Sequence, residues 1–220
     1  MQATSFSPEI SQRPLLRGVL HQFAFFVALV GAGALVLLAH SGPAKVVALL
    51  FGVCLAAQLG ISALYHRVLW SPRARTWMRR LDHAAIFLLI AGGYTPMFWF
   101  YPSHRGDHHA LTTIWVGAAI GILKSVLWPN SPRWITALLC VALGWTVVGE
   151  VADRASLAGP LVTTLLVASG TTYSLGGVVY ALKRPNPRPR VFGYHEVFHS
   201  MVIAAAACLY AHAAILLHRN

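Results

Sequence analysis

Acidic residues are scarce in this 220-residue chain: six Asp and Glu stand against seventeen Lys and Arg, and charged residues make up only 10% of the total. A soluble domain covers its surface with about 25% charged residues. This chain cannot, and with 57% hydrophobic residues and a mean hydropathy of +0.62 its outer surface must largely be lipid. Cysteine is equally sparse. Cys54, Cys140 and Cys208 all lie inside apolar runs, which excludes a disulfide framework and leaves them as small buried hydrophobes. The formal charge of +11 would suggest a nucleic-acid partner on a soluble protein, but no soluble basic domain exists to carry that role, so no nucleic-acid partner is expected. Internal repeats and low-complexity segments are also missing.

What the chain does have is long apolar runs. A spanning helix needs about 20 mostly apolar residues, and seven segments qualify: 19–39, 44–65, 81–101, 111–127, 134–150, 160–182 and 196–217. The fourth and fifth are short and meet at WPNSPR, a Pro-rich turn. The first run follows Arg13 and Arg17 but is long for a signal-peptide core, so an uncleaved span is expected. Residues 1–17 read as a polar cytoplasmic N-terminal segment, its head MQATSFSPEISQRP loose, and 18–220 as a single transmembrane domain. KRPNPRPR, between the last two spans, reads as a Pro-stiffened basic linker.

The basic residues alternate between the connecting segments. With a cytoplasmic N-terminus, thirteen Lys and Arg fall on inner segments and four (Lys45, Arg105, Arg154 and Arg219) on outer ones. The positive-inside rule therefore predicts an all-α, seven-transmembrane helix bundle with its N-terminus cytoplasmic and its C-terminus outside. The basic inner loops would also attract anionic lipid head groups.

Ionisable groups inside a span are costly and usually mark function. Here they converge. His66 closes the second span in SALYHR, with Ser62 one helical turn before it; Asp82 opens the third in RRLDHAAIF; His195 and His199 open the seventh in HEVFH. On the predicted topology all five lie at the cytoplasmic end. His195 and His199, at i and i+4, share one helix face. With His66 they would supply three imidazoles to a tetrahedral zinc and leave one position open for water, whose pKa zinc lowers to about 7. Asp82 would accept the proton or orient a ligand, and Ser62 faces the same way as His66. Taken singly, each group has a plainer reading: a His as an interfacial anchor, Asp82 as an ion-pair partner of Arg79 and Arg80, Ser62 as helix packing. Their joint placement on one leaflet favours the metal site.

HEVFH also matches H-E-x-x-H, whose Glu serves as general base in metalloproteases. Glu196 lies about 100° round the helix from His195, so spacing alone leaves that role open. His104, Asp107, His108 and His109 in HRGDHH read as a solvated outer loop, as do Glu150, Asp153 and Arg154. His83, next to Asp82, should face another side of its helix and serve packing or head-group contact. His21, near the inner end of the first span, could stand behind the ligands.

The stretches RGVLHQFAFF, SALYHR, RRLDHAAIFLLIAGGYTP and GYHEVFHSMVIAA, in that order, resemble the bacterial haemolysin III family of the progestin and adipoQ receptor superfamily. AGGYTP departs from an expected AGTYTP. The resemblance implies a seven-helix fold in the bacterial inner membrane. It also implies Zn²⁺ held by His66, His195 and His199, with Asp82 and Ser62 supporting the zinc-bound water. Because the superfamily is similar in its motifs to alkaline ceramidases, it further implies a zinc-dependent lipid amide or ester hydrolase in membrane-lipid homeostasis. The expected partners are membrane lipids, including a lipid substrate or fatty acid within the bundle; the oligomeric state stays open. The alternatives are a receptor-like sensor with structural zinc, a pore-forming haemolysin and an intramembrane protease. The scarcity of intramembrane charge, with no polar channel lining, weighs against a pore.

Overall fold

The computed structural model describes residues 14–102 and 108–220. Among these the chain forms eight α-helices and no named strand: α1 (Val19–Leu38), α2 (Gly42–Arg67), α3 (Pro72–Phe100), α4 (His109–Leu127), α5 (Arg133–Trp145), α6 (Val148–Ala158), α7 (Pro160–Leu182) and α8 (Tyr194–Arg219). The starts of α2 and α3 follow from local sequence. Ser41 and Ser71 accept hydrogen bonds from Ala44 N and Ala74 N at 3.3 and 3.4 Å, and a proline stands in the first turn of each helix, where its missing N–H costs nothing.

Six helices are long and apolar enough to cross a membrane, and α5 with α6, bent by 42°, makes a seventh when the pair is counted as one broken span. The fold is the expected all-α membrane bundle. Consecutive helices from α1 to α4 pack side by side, α7 lies along α8, and α8 closes the ring against α1. α1 turns Phe23, Phe26, Val30 and Leu37 outward, as lipid contact requires. Small residues permit the close inner crossings. A Cβ on Gly92 would come within 2.7 Å of Cys54 Sγ, and one on Gly93 within 2.6 Å of Leu209 Cδ2. Gly93 is the departure in AGGYTP: Leu209 of α8 fills the room that a larger side chain would need.

Two sequence expectations need correction. The fifth span is not a continuous helix over 134–150; it bends near Thr146 and runs on to Ala158. At the bend, Thr146 Oγ1 donates to Leu143 O at 2.7 Å and Tyr94 Oη donates to Gly144 O at 2.7 Å. Two carbonyls of the last turn thus accept from side chains, which breaks helices where the ladder is invaded. Glu150 and Arg154, in turn, belong to α6 rather than to a loop. Arg154 is 2% exposed, donates through Nε to Tyr101 O, and bonds through Nη1 to Glu150 O and Oε2 at 2.7 and 2.6 Å. It ties the broken span to the end of α3.

Residues 14–17, which join the N-terminal segment to α1, are pinned. Leu15 N and Leu16 N donate to Arg190 O and Val191 O at 3.0 and 3.1 Å, beside the single bridge between Arg188 and Phe192. The rest of the N-terminal segment, with His104 and Asp107 of HRGDHH, lies outside the described residues. His108 is the N-cap of α4 and His109 its first residue, beyond the C-terminal end of α3, whereas Asp82 lies in the N-terminal half of α3.

Candidate metal centre

His66 occupies the last turn of α2, and His195 and His199 the first two turns of α8. The ends of these helices meet. His66 Nε2 and His195 Nε2 are 3.1 Å apart. The ring centroids of His195 and His199 lie at 4.5 Å, and those of His66 and His199 at 5.1 Å. One nitrogen from each ring falls within 4.8 Å of the other two. Tetrahedral coordination with metal–nitrogen bonds of about 2.0–2.1 Å separates ligand nitrogens by about 3.3 Å, so the His66–His195 pair already has the required spacing. Three neutral imidazoles from two helices can hold a metal ion.

The first turn of α8 is held from outside. Glu196, 1% exposed, accepts from Gly193 N at 2.8 Å through Oε2 and pairs through Oε1 with Arg17 Nε at 2.7 Å. Both carboxylate oxygens are thereby engaged, one closing the helix start as a cap and the other anchoring the N-terminal segment. Tyr194 N donates to Asn186 Oδ1 at 3.1 Å. The chain then reverses at Gly18, whose φ of +75° suits glycine; a Cβ there would come within 2.7 Å of His66 Cβ. Gly18 therefore lies directly against the histidine at the end of α2.

His21 lies behind the cluster. Its ring stacks on that of His199 with centroids 3.7 Å apart and planes within 1°. It is 1% exposed and neither ring nitrogen has a hydrogen-bond partner. The contact fixes the plane in which His199 presents its nitrogens, an orienting role of the kind that supports metal ligands.

Below the histidines a cavity of about 170 Å³ runs into the bundle between α2, α3, α5, α7 and α8. Its wall is mainly apolar, and its polar end carries His21, Ser62, Asp82, His195 and His199. Ser62 is buried and is the polar neighbour of the Asp82 carboxyl. Asp82 is not one of the residues whose donor atoms converge with the three imidazoles, but it faces the same space. His83 also lines this cavity, contrary to the expectation that it would face elsewhere. Sequence reading missed the engagement of Glu196 with Arg17, since nothing local to HEVFH shows a partner some 180 positions away. It also passed over Gln58, although Gln58, Ser62 and His66 follow one another at helical spacing on a single face of α2.

The profile of the family described as "Haemolysin-III related" matches residues 10–210. The chain belongs to that family. Within it, this haemolysin-III-related protein is 26% identical over 162 residues to the Hemolysin-3 homolog of Bacillus subtilis (strain 168), covering 73% of this chain and 72% of that one. It is 25% identical over 172 residues to Hemolysin-3 of Bacillus cereus, covering 78% and 75%. The heptahelical transmembrane protein ADIPOR2 of Oryza sativa subsp. japonica is 28% identical over 176 residues, covering 73% and 77%. The match thus extends to the progestin and adipoQ receptor superfamily, and the haemolysin-III-related chain is a multi-pass protein of the bacterial inner membrane.

Proposed function

We propose that this chain is a zinc-binding protein of membrane-lipid homeostasis that hydrolyses a lipid amide or ester, with its site at the cytoplasmic side. The observation that carries the reading is the convergence of three imidazoles at the polar end of an apolar cavity beside Asp82 and Ser62. The excess of Lys and Arg on the segments at that end supports a cytoplasmic N-terminus and an outer C-terminus.

His66, His195 and His199 would hold the ion. Zinc in such a site supplies Lewis acidity, polarising a carbonyl oxygen and acidifying water at neutral pH. The remaining work falls to side chains. The Asp82 carboxylate takes the proton from attacking water and returns it to the leaving nitrogen or oxygen. Ser62 holds the Asp82 carboxyl in place, and His21 holds the His199 ring. The cavity keeps the acyl chain in a water-poor slot with its carbonyl toward the histidines. Glu196 is not the base, since both its oxygens are engaged by Gly193 and Arg17; this weighs against a metalloprotease.

Metal analysis and lipid turnover of the purified protein test the reading together. We expect one zinc per chain, lost when His66, His195 and His199 are all replaced by Ala, and turnover lost with zinc retained in Asp82→Asn. Full zinc in the triple variant would overturn the site, and unchanged turnover in Asp82→Asn would remove the role of that carboxylate. A second reading, a sensor in which zinc only staples α2 to α8, draws on the same bridge between two helices distant in sequence. Early melting on metal removal, with no turnover of any lipid, would favour it.

A further inference from the structure

The cavity wall contains few polar groups, and most have protein partners. Tyr94 Oη donates to Gly144 O at 2.7 Å, Ser169 Oγ to Ala205 O at 2.9 Å and Ser174 Oγ to Gly170 O at 2.8 Å, while Thr136 Oγ1 accepts from Lys124 Nζ at 2.6 Å. Gln58 and Tyr173 differ. Gln58 is 5% exposed, and its Oε1 has no partner; the Tyr173 hydroxyl is likewise buried without one. Both residues line the cavity. A buried polar atom left unpaired is expensive, and the cost is relieved when a ligand supplies the missing partner.

The two groups also lie at a common depth. Gln58 is eight residues before His66 on α2, roughly 12 Å along the helix at a rise of about 1.5 Å per residue. Tyr173 is seven residues before Tyr180 on α7, roughly 10 Å by the same rise. Tyr180 and His66 both border His195, with ring centroids 5.8 and 4.6 Å from it. Both unpaired groups therefore stand roughly 10–12 Å below the histidines, on two different helices, α2 and α7, that line a mainly apolar slot.

We propose that Gln58 and Tyr173 form a second polar station, which binds a hydroxyl carried near the middle of a long-chain lipid whose polar head meets the histidine cluster. A hydroxyl donates once and accepts twice, so a single group can satisfy an amide oxygen from α2 and a phenolic hydroxyl from α7. A plain hydrocarbon chain leaves both unpaired. The inference rests on the cavity being a lipid site and narrows the class of lipid it selects.

The test measures binding of three acids to the full-length protein in lipid nanodiscs: octadecanoic acid, its mid-chain hydroxyl derivative, and the isomer with its hydroxyl beside the carboxyl. The mid-chain hydroxy acid should bind about tenfold more tightly than the unsubstituted acid, and the isomer should bind no better than the unsubstituted acid. Gln58→Met and Tyr173→Phe keep the shape of the wall. Each should abolish the preference while leaving metal content and binding of the plain acid unchanged. Equal affinity of the wild type for all three acids would overturn the station and leave the lipid cavity standing, as would a preference that survives both substitutions. Failure of any acid to bind would overturn the station and the lipid reading together.

Discussion

The two ends of the bundle both bury ionisable side chains, and they do so in opposite ways. At one end Arg154 is almost wholly enclosed, and its guanidinium is engaged by Tyr101 O and by the carbonyl and carboxylate of Glu150. At the other end three imidazoles crowd together, with His21 stacked behind them and its own nitrogens unpaired. A saturated buried charge can do nothing but hold helices together. Three imidazoles whose nitrogens converge at the end of a cavity can instead hold an ion. The same contrast divides the carboxylates near the histidines: Glu196 is occupied on both oxygens, whereas Asp82 faces the cavity.

The sharpest way to break this comparison is to empty the cluster. Replacing His199 by Ala removes one of the three proposed ligands and leaves His21 without its stacking partner, so metal affinity should fall by at least a hundredfold, read by chelator competition. Arg154→Met should act on stability alone. It strands Tyr101 O and removes the partner of the part-exposed Glu150 carboxylate, lowering stability by about 1–3 kcal/mol in a thermal or denaturant assay, with metal content unchanged. Loss of metal in that variant would mean that the two ends are not independent.

Smaller effects sharpen the contrast. Glu196→Gln keeps an acceptor for Gly193 N but discharges the partner of Arg17. A double-mutant cycle with Arg17→Met should give a coupling of about 1–3 kcal/mol, while turnover stays far above that of Asp82→Asn. Abolished turnover in Glu196→Gln with activity kept in Asp82→Asn would exchange their roles. The mildest case is His21: His21→Phe preserves a flat ring against His199 and should hold metal affinity within a fewfold, whereas His21→Ala should weaken it by about tenfold. Equal effects of the two would show that the imidazole nitrogens, not the stacked plane, matter.

Much of this was legible in the chain. Apolar runs of spanning length appear in any window read against the membrane thickness, and they predicted the bundle. His195 and His199 announce themselves by a four-residue spacing, and His66 and Asp82 by standing at span ends on one side. The bend after Trp145 was not legible, because Tyr94 captures Gly144 O from another helix and composition contains no trace of that reach. Arg154 looked like a loop residue for the same reason: its partner, Tyr101 O, lies 53 positions away.

The sequence by itself determined that this protein lives in a membrane and crosses it about seven times. It also determined which end of each span carries its polar residues, because hydrophobic transfer acts on local stretches regardless of what they later touch. Tertiary structure alone decided which polar residues meet. Glu196 pairs with Arg17, Arg154 with Tyr101 and Glu150, the three imidazoles converge on one point, and Gln58 and Tyr173 line a mainly apolar slot. Hydrogen bonds and ion pairs are short-ranged and directional, so they depend on contacts between helices that no single helix encodes.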